Sequence, residues 1–192
     1  MMRRNFFTAF VTATVLLFLM NGCGTQPATG TPLGHHPKNL GQYDFNPDLL
    51  NWEVDNSEGL RMHTDSRLIY LQFDHTAAGE KIKNIQFIID IDNNHTTGNA
   101  QENGADYIVE NGYLYQSKSR DTWDWKEIGK VKSTVEGLVD TIQLEKQALS
   151  YSGGAFAVNA EALDDKWQPV LYSPSAQDAN GIHLKTVYTA VN

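Results

Sequence analysis

The chain has 192 residues and a mass of 21.5 kDa, with 41% hydrophobic, 20% charged and 10% aromatic residues. That suits one globular domain with a tail and is too short for two full domains. Fifteen basic against 23 acidic side chains give a net charge of −8, which argues against a nucleic-acid binder working through a basic face. The single cysteine excludes an intramolecular disulfide framework and a Cys-rich zinc site.

Arg3 and Arg4 form a positive start, followed by an uncharged, mostly apolar stretch of 15 residues from Phe6 to Met20. A membrane span needs about 20 residues, so this length fits a secretory signal better. The stretch ends in Met20-Asn21-Gly22-Cys23, which resembles a bacterial lipobox. The resemblance implies that residues 1–22 are a cleaved lipoprotein signal peptide. Cys23 would then carry the diacylglycerol thioether and fatty acyl chains of palmitate type. Two or three such chains anchor stably, at about 0.8 kcal/mol per buried CH₂. The expected location is the cell envelope, lipid-anchored and facing outside the cytoplasm, with the bilayer as a partner.

Residues 23–41 are rich in Gly, Thr and Pro and hold few apolar side chains, so they read as a flexible tether. His35-His36 falls within it and reads as a solvated pair. Residues 42–192 then carry short alternating apolar runs separated by Gly/Asn/Asp turns. The expected strands are Leu50–Asp55, Leu60–Thr64, Leu68–Phe73, Asn84–Ile91, Tyr107–Glu110, Tyr113–Gln116, Trp123–Ile128, Val131–Val135, Leu138–Leu144, Ala155–Ala162 and Val170–Tyr172, with an edge strand within Ile182–Val191. Asn111-Gly112 predicts a type I′ hairpin, because both central positions need φ > 0. Only Glu145–Leu149 suggests a helical turn. This spacing predicts an all-β fold, an antiparallel β-sandwich of jelly-roll or immunoglobulin-like type. The expected core is Ile69, Leu71, Phe73, Ile85, Phe87, Ile89, Ile91, Leu138, Ile142, Leu144, Phe156 and Val158.

Several chemistries lack their motifs. There is no Gly-x-Ser-x-Gly elbow or Ser-x-x-Lys pair, and no His-Glu-x-x-His or Gly-x-x-x-x-Gly-Lys. Met62 and His63 are neighbours on a strand and point opposite ways, which argues against a haem held by both. A glycosidase needs only two carboxylates roughly 5–9 Å apart, so a small carboxylate-dependent glycoside hydrolase stays as the enzymatic alternative to a non-enzymatic module.

One segment concentrates oxygen donors: Asp90-Ile91-Asp92-Asn93-Asn94-His95-Thr96-Thr97-Gly98, followed by Asn103-Gly104-Ala105-Asp106-Tyr107. Asp90 and Asp92 are two apart at a strand end and share a face, about 6.5–7 Å apart at Cα. A hard cation such as Ca²⁺ takes six to eight oxygens, carboxylate and carbonyl mixed. An EF-hand does not fit, because His95 and Gln101 stand where that loop needs Gly and Glu. The same residue types also cap their own backbone in surface turns, and local chemistry leaves both readings open. The Asp-x-Asp-Asn-Asn-x-x-Thr-Gly run with its following Gly-Ala-Asp-Tyr is similar to the calcium-site signature of bacterial β-sandwich domains. These are domains like the family 9 carbohydrate-binding modules and the DOMON-like group. The resemblance covers roughly Leu50 to Pro174. It implies a structural Ca²⁺ with Asp90, Asp92 and Asp106 as side-chain ligands and backbone oxygens from the Asn94–Thr97 region, Asn94 and Thr96 among them.

Trp123 and Trp125 are two apart, so a strand would place both on one face, where indoles stack on sugar rings beside polar partners such as Arg120. Buried packing residues are the competing reading. The function expected is a membrane-anchored, calcium-stabilised binding module for carbohydrate, or an envelope scaffold lipoprotein that binds another protein and no small ligand.

Overall fold

The computed structural model describes residues 46–189. The expected signal peptide, Cys23 and the tether lie outside them. Twelve strands form: β1 (Val54–Asp55), β2 (Leu60–Thr64), β3 (Leu68–Asp74), β4 (Asn84–Asp90), β5 (Tyr107–Glu110), β6 (Tyr113–Ser117), β7 (Trp125–Lys130), β8 (Lys132–Glu136), β9 (Val139–Glu145), β10 (Phe156–Leu163), β11 (Pro169–Ser173) and β12 (Thr186–Tyr188). The first sheet has the order β1-β2-β3-β9-β8. The second has the order β11-β10-β4-β5-β6-β7, with β12 also on β10. Every strand pairing is antiparallel. The chain passes between sheets from β3 to β4, from β7 to β8 and from β9 to β10, so β3–β9 and β4–β10 become neighbours despite their separation in sequence.

The result is an all-β sandwich whose core the alternation predicts. Leu60, Met62, Ile69, Leu71, Phe73, Ile142 and Leu144 of the first sheet meet Ile85, Phe87, Ile89, Val109, Phe156 and Val158 of the second. Phe73 and Phe87 touch edge to face across the interface, with centroids 6.5 Å apart. The Asn111-Gly112 hairpin forms with φ of 50° and 85°, as the type I′ geometry requires. Among the described residues no helix is long and apolar enough to cross a membrane.

Some boundaries differ, for local reasons. The run from Leu50 pairs only at Val54–Asp55, after a 3₁₀ turn at Pro47–Leu49 capped by the Asn46 side chain. The strand expected from Trp123 begins at Trp125, because the backbone of Asp124 is held by Thr122 and Lys118 in the approach loop. Near the C-terminus the strand is Thr186–Tyr188, with an isolated bridge of His183 to Gln177 before it, since the Asp178 carboxylate gathers the amides of Asn180 and Ile182 into a turn. Leu138 sits in the β8–β9 turn, half-buried. The inward position beside it is Asp140, whose carboxylate is held by the buried His75 ring at 2.9 Å. Ile91 is half-buried against the core.

One feature runs against simple alternation. Every residue of β4 and of β10 is buried, on both faces. The outer face of the second sheet is therefore covered as well. Loop residues 99–105 are stitched to loop 118–125, where the Asn99 side-chain amide donates to the carbonyls of Ser119 and Thr122. The segment 174–185 is stitched to the sheet by the Asn159 amide, which donates to the carbonyls of Pro174 and Leu184.

Candidate metal centre

Asp90 is the last residue of β4, paired with Ala157 of β10. Beyond it the chain turns sharply through Asn93, whose φ is 51°, and the Asn94 amide donates to both Asp90 Oδ1 and Asp92 Oδ1 at 3.0 Å. Asp106 sits just before β5. Its Oδ2 accepts from the Ile91 amide at 3.0 Å, and its own amide donates to the Ile89 carbonyl. The turn is then folded tightly on itself. Gly98 and Gly104 have φ of 55° and 83°, and a Cβ on either would collide with backbone, that of Gly104 and Ala105 in one case and of His95 in the other.

This geometry brings Asp90, Asp92 and Asp106 together, one carboxylate oxygen from each within 4.8 Å of the others. Asp90 is buried, Asp106 half-buried and Asp92 exposed. Burial first, then the neighbouring carboxyls of Asp92 and Asp106, push Asp90 up to about 6, against the pull of the Asn94 amide and the Lys185 ammonium. Asp106 is raised too, by burial and by the charge of Asp92. Carboxylates held this close repel unless something positive stands among them. Three hard oxygen donors at this spacing fit a Ca²⁺ with ligand distances of about 2.3–2.6 Å, and each is oriented by backbone amides before any ion arrives.

The side chains of Asn94 and Thr96, expected to serve through backbone oxygens, bond to one another. Asn94 Oδ1 accepts from the Thr96 amide at 3.1 Å and from the Thr96 hydroxyl at 2.7 Å, so these two side chains face one another. Thr97 falls in the expected region, but its side chain was not singled out: its hydroxyl lies 3.1 Å from both oxygens of Asp92. Arg120 reaches this loop, donating to the carbonyls of His95 at 3.3 Å and Thr97 at 2.9 Å. A cleft of about 440 Å³ opens beside Asp92 and Asp106, with Gln116, Lys118 and Arg120 on its walls. A second, of about 420 Å³, opens beside Asp90 and is lined by Asn93, Asp178 and Lys185.

Trp123 and Trp125 meet edge to face, centroids 5.4 Å apart at 68°. Both are half-buried against Ile88, Ala105 and Ile108 on the outer face of the second sheet, and neither buried indole N–H has a partner. A further cavity, about 540 Å³, lies elsewhere, floored by Leu68, Leu114, Val131 and Leu144, and presents no aromatic ring.

Lys185 is a further residue that no motif flagged. It arrives from the C-terminal segment, donates to the carbonyls of Glu102 and Asn103, and its charge faces Glu102, Asp90, Asp106 and Glu161. Only the tertiary cover of the outer face brings it there. Comparison with protein-family models, with curated proteins and with solved structures found no match.

Proposed function

We propose that this domain is a non-enzymatic recognition module of jelly-roll-like topology, stabilised by a structural Ca²⁺ at Asp90, Asp92 and Asp106 and held at the cell envelope through an acylated Cys23. The observation that carries this reading is the convergence of the three carboxylates within 4.8 Å, at a corner where two loops meet. A divalent ion there would join the end of β4 to the start of β5. The resemblance to family 9 carbohydrate-binding modules and the DOMON-like group rests on the Asp-x-Asp-Asn-Asn and Gly-Ala-Asp-Tyr runs. It supports carbohydrate as the ligand class, with Trp123, Trp125 and Arg120 as the candidate contacts.

A second reading is an envelope scaffold that binds protein and no small ligand. The placement of the indoles favours it, since both lie against Ile88, Ala105 and Ile108 and so contribute part of their surface to the fold.

The test is thermal. EDTA lowers Tm and calcium restores it, because an ion that binds only the folded chain stabilises by mass action, about 2.7 kcal/mol at 100 times Kd. A melt indifferent to both would overturn the metal centre. The anchor is tested separately: Cys23→Ser moves the protein from the membrane fraction to the soluble fraction, and retention of the processed variant on membranes would refute it.

A further inference from the structure

We propose a second cation site, separate from the acidic turn, on the covered outer face of the second sheet, formed by the carboxylates of Glu102 and Glu161 with the side-chain oxygen of Asn159. Asn159 and Glu161 alternate on β10, and so point to the same outer face. Glu102 comes down onto that face from loop 99–105. All three are sealed from solvent, at 2%, 1% and 5% exposure respectively. Yet Asn159 Oδ1, Glu161 Oε2 and Glu102 Oε1 have no hydrogen-bond partner.

The Asn159 orphan is independent of the acids. Its Nδ2 donates to the carbonyls of Pro174 and Leu184 at 3.1 and 3.2 Å, which fixes the amide orientation and leaves Oδ1 turned away as an acceptor with nothing to accept. A buried polar atom without a partner costs about 1–3 kcal/mol, and a charged one more, so two glutamates close enough for the charge of one to act on the other, with an orphaned amide oxygen on the same face of β10 as Glu161, call for an occupant.

Among the described residues Lys185 is the only ammonium whose charge reaches both glutamates, and its hydrogen bonds go to the backbone carbonyls of Glu102 and Asn103. The same ammonium also faces Asp90 and Asp106. A single positive charge therefore stands among four carboxyls, and an ion at the acidic turn would answer those of the turn alone. Two carboxylates and an amide oxygen are hard donors of the kind calcium takes. Burial raises the proton affinity of both glutamates, and the charge of Glu102 raises that of Glu161 further, against the pull of Lys185. A shared proton is therefore the competing occupant.

Equilibrium dialysis of the full chain against radiolabelled calcium separates the two. The expected result is two ions per chain. Glu102→Gln or Glu161→Gln leaves one, and Asp92→Asn with Asp106→Asn also leaves one. No ion bound by the unmodified protein overturns the proposal, a reading that does not depend on any variant folding. An unchanged count in both glutamine variants also overturns it. Failure of the acidic turn looks different: the count then drops in the glutamine variants and is unmoved by the aspartate pair.

Discussion

At Asp92 the electrostatics of the acidic turn make a prediction of opposite sign in two buffers. The side chain is exposed and stands within 4.8 Å of two other carboxylates. Its oxygens also receive the Asn94 amide and the Thr97 hydroxyl, bonds that an asparagine oxygen can still accept. Asp92→Asn therefore removes repulsion while keeping the local turn. In EDTA the variant melts at the same temperature as the parent or higher, with a gain of about 1 kcal/mol or less, the scale of close like-charge pairs. In calcium the order reverses, because a ligand is missing, and the calcium-induced rise in Tm is lost or sharply reduced. Scanning calorimetry of both proteins in both buffers checks this. A variant less stable than its parent in EDTA would mean that the turn needs the charge itself. The trio was legible in the sequence because an Asp-x-Asp pair at a strand end must share a face, and because Asp106 opens the next strand. Thr97 was not, since its hydroxyl reaches Asp92 only after the chain has turned through Asn93.

At the level of strands, alternation is a local signal, and it located β2 and β5 to the residue. It was silent on what covers an outward face. Asn159 and Glu161 look solvent-facing in Phe156–Leu163, and they become buried because loop 99–105 and segment 174–185 close over them. No periodicity in β10 could announce those covers. The indoles show the same limit. A strand through Trp123 would have set both rings on one exposed face, but the approach loop ends only at Trp125, and the pair sits edge to face on Ile88, Ala105 and Ile108. Trp125→Ala is expected to lower stability by about 2 kcal/mol, below the 3–5 kcal/mol of a fully buried aromatic because the ring is only half-buried. A glycan array distinguishes the two functional readings. If the module binds carbohydrate through this pair, Trp123→Ala and Trp125→Ala lose glycan signal while the calcium-dependent melt persists. Binding of glycans unchanged in both variants removes the indoles from the ligand site.

Across the whole molecule, the covered face and the acidic corner act together on the pH dependence of stability. In the folded chain Asp90 is pushed up to about 6 and Glu102 to about 7, burial being the first cause in both, and Asp106 and Glu161 are raised as well. Their ordinary values are 3.8 for aspartate and 4.5 for glutamate. Between roughly pH 4 and 7 the folded state therefore binds more protons than the unfolded chain, and stability falls as pH rises through that window. Opposing groups are few there. Asp55, Asp65, Asp74 and Asp178 are lowered by the hydrogen bonds they accept, so their contribution is lost only as pH drops below about 4. His183, lowered by burial, pulls the other way as a single group. In EDTA, then, Tm is expected to be higher at pH 5 than at pH 7.5. With saturating calcium the trend inverts, because protons compete with the ion for the same carboxylates, and the gap between the calcium and EDTA melts narrows as pH falls. Melting curves at the two pH values, with and without calcium, measure all four corners. An EDTA melt that drops on acidification to pH 5 would mean that these carboxyls meet a positive partner in the folded chain other than a divalent ion, and that the charge imbalance around Lys185 is already closed.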